Sequence, residues 1–173
     1  MIEAWTAAVI VTGVGQCIVE ELQATPESGG TPANMRLCLL VPGNIAWDGC
    51  DCGQLAVTIQ SIYPTVTFPI DASDVVVNGN CGPFGQVVEV LVSLTRCVPG
   101  LDANGKPPTC AKLRAAALVQ QGDAFAIRNG VACCLRELKR TQRIQKYTVG
   151  RTNFVGPEGN CGGVELIFKF ELV

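Results

Sequence analysis

No histidine occurs among the 173 residues of the chain. Its absence removes the commonest general base and excludes Ser-His-Asp and Cys-His nucleophilic sites. Serine is scarce too: Ser28, Ser61, Ser73 and Ser93 are all there are, and none lies in a Gly-x-Ser-x-Gly elbow. Charged residues make up only 16% of the chain against 48% hydrophobic, so part of the apolar surface is expected to meet other subunits. A net charge of -2 gives no basic footprint for nucleic acid, and stable DNA binding is not expected. The most apolar stretch, Ala7 to Val19, is interrupted by Thr12 and Gln16 and falls short of the roughly 20 residues of a membrane span. Met1-Ile2-Glu3 lacks the positive start of a secretory signal. These features predict a soluble protein made in the cytosol.

What is abundant is cysteine, at positions 17, 38, 50, 52, 81, 97, 110, 133, 134 and 161. In a cytosolic chain of this length the expectation is reduced thiols packed as small hydrophobes. Two alternatives stay open. Cys50-x-Cys52 with Cys81, Cys97, Cys161 or the Cys133-Cys134 pair offers a thiolate zinc set, although the usual Cys-x-x-Cys knuckle is missing. A disulfide from the Cys50-Cys52 loop to Cys81 suits a particle that ends up outside a cell.

The length suits one domain over residues 1–173. Residues 1–24 carry apolar side chains around most of a helical circumference, predicting a first helix packed on both sides. The run from Thr25 to Pro32 is rich in turn residues and ends it. Arg36 to Val41 reads as a short buried strand. Leu55 to Tyr63 alternates, with Leu55, Val57, Ile59, Ser61 and Tyr63 on one face. Gln86 to Cys97 does the same through Val88, Val90, Val92 and Leu94, and an antiparallel pairing of the two is expected.

Thr109 is a candidate N-cap after two prolines, and apolar residues from Leu113 to Leu138 recur at helical spacing. Gly122-Asp123 is read as a possible split of that helix. Its basic end, Arg136, Lys139, Arg140 and Arg143, complements a helix C-terminus. A strand near Ile144 to Thr152, a glycine-rich loop and a final strand follow. In the last one Val164, Leu166, Phe168, Phe170 and Leu172 form the buried set. The expected fold is α+β, with an antiparallel or mixed sheet of about five strands against two main helices.

Other motifs carry little chemistry. Asp48 and Asp51 beside Trp47 read as turn formers with an aromatic anchor rather than as a sugar-binding carboxylate pair. Asp102-Ala103-Asn104-Gly105 lacks calcium ligands and is a turn. Gly13-Val14-Gly15 follows no strand and has no third glycine, so it is read as close helix packing rather than a nucleotide loop.

The element order, the Trp47 to Leu55 run, the Cys81 loop and the Cys133-Cys134 pair resemble tail terminator and head–tail connector-region proteins of long-tailed actinobacterial bacteriophages. The resemblance implies a virion structural protein without active site or cofactor, assembled in the host cytoplasm. It implies a six-membered ring that caps the tail tube and docks to the connector or stopper proteins, with DNA only passing through the lumen. Closed, heterologous contacts of that kind would cover exposed strand edges. Trp47, Asp48, Asp51 and Phe154 are candidates for contacts between rings, and Arg136, Lys139, Arg140 and Arg143 for contacts between subunits. A stopper or adaptor, a minor tail protein and a cysteine-based metal-binding protein are the alternatives.

Overall fold

A computed structural model describes residues 2–31, 35–42, 53–73, 85–158 and 160–173. Two helices, α1 (Ile2–Ala24) and α2 (Cys110–Arg140), lie on one face of a five-stranded sheet. The strands are β1 (Arg36–Pro42), β2 (Gln54–Thr65), β3 (Gly85–Cys97), β4 (Ile144–Glu158) and β5 (Cys161–Leu172). Their spatial order is β1-β2-β3-β5-β4. β1 runs parallel to β2 and every other pairing is antiparallel. The α+β architecture with a mixed sheet follows from the strong period-two signal of β3 and β5 and the period of α2.

The core lies between this sheet and the helices. Val88, Val90, Val92 and Leu94 of β3 and Val164, Leu166, Phe168, Phe170 and Leu172 of β5 meet Ile10, Val14, Ile18 and Leu22 of α1 and Ile127, Val131 and Leu135 of α2. Burying each of the two phenylalanines contributes about 2–3 kcal/mol. The face of β5 away from the helices carries Glu165, Ile167, Lys169 and Glu171, as alternation requires.

Several expectations are corrected. From Thr6 to Ala24 α1 is packed on one face: Ala7, Ile10, Val11, Val14, Ile18 and Leu22 are buried, while Val9, Thr12 and Gln16 are exposed. By length and composition its Thr6–Ala24 stretch is apolar enough to cross a bilayer. The buried face and the contacts described below mark it as a core helix of this fold. Among the described residues β1 is an edge strand, with Leu37 48% and Leu40 40% exposed; a continuous apolar run does not by itself distinguish a central strand from an edge. In β2 a register shift between Ile59 and Ser61 reverses the alternation. Ser61 and Tyr63 therefore join Glu89 and Val87 on the face away from the helices, instead of continuing the Leu55, Val57, Ile59 face.

α2 is continuous through Gly122 and Asp123. A Cβ at Gly122 would collide with the backbone of Glu27, so the glycine admits the turn after α1 rather than ending the helix. Thr109 does cap α2, accepting from the Lys112 amide. Leu113 and Ala117, expected on the sheet, are exposed; buried α2 positions begin at Gly122. The expected glycine loop at 156–163 is mostly strand, since β4 extends to Glu158 and β5 starts at Cys161.

Candidate functional site

Three features outside the apolar core hold the polar chemistry of the described residues. The first joins layers. Arg96 at the end of β3 donates from Nε and Nη2 to the Asp123 carboxylate at 2.5 and 2.7 Å, and from Nη2 to the Gly30 carbonyl. The side chains are 11% and 1% exposed. This bidentate pair is what occupies the position that local sequence reads as a helix break. It ties α2, β3 and the turn after α1 together.

The second is a cavity of about 400 Å³ on the face away from the helices, lined in part by Tyr63, Asp71, Ser73, Glu89 and Lys169. The β2 register shift places Tyr63 here. The Lys169 ammonium bonds to Glu89 at 2.5 Å, donates to the Tyr63 hydroxyl at 3.2 Å and stands 5.5 Å from the centre of its ring. Tyr63 in turn donates to the Pro69 carbonyl at 3.0 Å. The hydrogen bond to Glu89 holds the Lys169 pKa above its ordinary value, against the opposing effect of burial. A lysine held charged is not a nucleophile. Asp71 accepts from the Ser73 hydroxyl and amide at 2.5 and 2.8 Å, and these bonds lower its pKa. Lys169 and Glu89 thus satisfy each other and Asp71 is held by Ser73, so the cluster is tied together by its own polar bonds.

The third is the side formed by α2 and the edge strand β4. Arg136, Lys139, Arg140 and Arg143 are all exposed there, as the sequence predicts for a helix end. Arg140 makes a two-pronged contact with Glu137, 2.6 and 2.8 Å. That hydrogen bonding lowers the Glu137 pKa and raises that of Arg140. Being fully exposed, the pair is screened by solvent. Phe154 on β4 is 57% exposed. Its register partner is the core residue Val164, so it lies on the helix-bearing face of the sheet. Arg128 of α2 donates to the Gly150 carbonyl of β4 at 2.8 Å and pins helix to strand. Sequence reasoning missed Leu118 and Phe125, 55% and 67% exposed on α2. Their spacing of seven on an otherwise polar helix face was the available signal.

Trp47, Asp48, Asp51 and Cys50, Cys52 and Cys81 lie outside the described residues. The expectation of free thiols is corrected for four cysteines. Cys17 of α1 and Cys134 of α2 form a disulfide with Cα atoms 6.2 Å apart, and Cys97 and Cys161 are disulfide-bonded as well. Oxidised sulfur is not a zinc ligand, which removes Cys97, Cys134 and Cys161 from the thiolate set. Cys38, Cys110 and Cys133 are free. Among the described residues no three His, Cys, Asp or Glu side chains converge on a metal position. Comparison with protein families and with curated protein sequences returns no match.

Proposed function

We propose that the chain is a virion structural protein, a tail terminator of a long-tailed bacteriophage, whose copies close into a ring that caps the tail tube and joins it to the head–tail connector. The observation that carries this reading is the pair of unlike sheet edges. Among the described residues β1 and β4 each pair with one strand only, and they stand at opposite ends of the sheet order. Two different sticky sides on one subunit favour head-to-tail contacts, which close into rings when the rotation permits. The element order and the low charge content agree with what the family resemblance implies.

Negative-stain images of the purified chain test the reading. Six-fold rings support a terminator, twelve-fold rings move the assignment to a neighbouring neck component such as an adaptor, and a monomer at all concentrations overturns ring formation by the chain alone.

A further inference from the structure

Two adjacent cysteines on α2, Cys133 and Cys134, meet opposite surroundings. Neighbouring residues of a helix point about 100° apart around its axis. Cys134 turns inward and packs against the apolar core. Cys133 turns to solvent, where its sulfur accepts from Arg136 Nη2 at 3.9 Å and remains a free thiol.

What faces Cys134 is α1. The two helices run side by side in opposite directions, since Gly130 lies against the backbone of Cys17 and Ile18, and Gly122 against that of Glu27. This packing brings the Cα atoms of Cys17 and Cys134 to 6.2 Å, inside the range a disulfide spans, although 117 positions separate them in sequence. The contact that seats them does not depend on sulfur. Ile10, Val14, Ile18 and Leu22 of α1 share one buried core with Ile127, Val131 and Leu135 of α2. Both bonded cysteines are only partly buried, which leaves a way in for a soluble reagent.

We infer that Cys17 and Cys134 form an oxidation lock set by the folded chain. The helices pack first with both sulfurs as thiols, the fold selects Cys134 over Cys133, and the bond closes when the chain passes from a reducing compartment to an oxidising one. In the closing step the thiolate of one cysteine attacks a small-molecule disulfide, such as oxidised glutathione, and releases one thiol. The second cysteine then displaces the other thiol from the mixed disulfide. One protein S–S bond forms, one reagent S–S bond breaks, and the two cysteine protons end on the two thiols released. Four of the seven cysteines among the described residues are oxidised, which suits a protein whose work is done where disulfides persist. The inference stands independently of the ring reading.

The full chain made in the reducing cytosol of an expression host tests this. Kept under reductant it is expected to be folded by circular dichroism, and an aliquot alkylated at lysis should carry both Cys17 and Cys134 as thiols. Oxidised glutathione in native buffer should then join them, as read by peptide mapping without reduction. Cys133→Ser should oxidise like wild type. Cys134→Ser should give at least about tenfold less bonding of Cys17 to Cys133, because the fold holds those two apart. In urea that preference is expected to vanish, with the two variants cross-linking Cys17 to within about twofold of each other. After oxidation the unfolding equilibrium constant of Cys133→Ser should be at least about thirtyfold smaller than that of Cys134→Ser, and reductant should remove most of the gap. Four results overturn the inference: a reduced chain that is unfolded, a bond already closed at lysis, a folded wild-type chain that the oxidant leaves as thiols, and a folded Cys134→Ser chain that joins Cys17 to Cys133 as readily as wild type joins Cys17 to Cys134.

Discussion

Replacing Asp123 by alanine is expected to destabilise the fold by about 3–5 kcal/mol, the usual cost of stranding one member of a buried ion pair. Asp123 is 1% exposed and receives two charge-assisted bonds from Arg96. The guanidinium left behind cannot easily turn to water, because it also donates to Gly30 and lies against Gly29. The loss would be a large share of the 5–15 kcal/mol that holds a typical domain. Urea unfolding with an unchanged slope is the assay, applied to Asp123→Ala, Arg96→Met and the Arg96→Met/Asp123→Ala double variant. The double variant should be more stable than the sum of the single losses predicts, since apolar replacement of both charges removes the stranded partner. Single losses below about 1 kcal/mol, adding simply in the double variant, would refute the reasoning and class the pair with solvent-exposed bridges.

Three further outcomes follow from the geometry. Replacing Cys17 and Cys134 by serine releases a cross-link between positions 117 apart; with other disulfides shortening the effective loop, a loss of about 2–4 kcal/mol is expected in chemical denaturation. Gly130→Val is expected to cost about 1–3 kcal/mol and lower the melting temperature, because a Cβ there would stand 2.9 Å from Ile18 Cα and 3.0 Å from the Cys17 carbonyl, both backbone atoms. Lys169→Met probes a raised pKa: the wild-type advantage should be full below the ordinary value of 10.5 and fade as pH rises through the higher folded-state value. A gap between the two proteins that stays constant across that alkaline range would contradict the Glu89 pairing.

Much of the fold was legible because it rests on local periodicity. The alternation of β3 and β5 marks Val88 to Leu94 and Val164 to Leu172 as core, and they are. Thr109 is read correctly as a cap because its bond is local. The failures share a different cause. Gly122 and Asp123 look like a helix stop, yet their roles are set by Glu27 and Arg96, distant in sequence. The face reversal in β2 depends on its register against β3. The Cys17–Cys134 bond joins residues that no spacing rule connects. At the candidate assembly side, the exposure of Arg136, Lys139, Arg140, Arg143 and Phe154 was foreseeable from their chemistry. That Arg128 reaches the Gly150 carbonyl of β4 was not, because only the fold brings α2 and β4 together.

The central claim is that this chain closes into a ring through unlike surfaces. Native mass spectrometry of the purified protein tests it most directly. The account predicts a dominant closed species of six copies of the 18.3 kDa chain, salt-sensitive and without a ladder of larger forms. A monomer, a two-fold dimer or an open-ended series of sizes would contradict it.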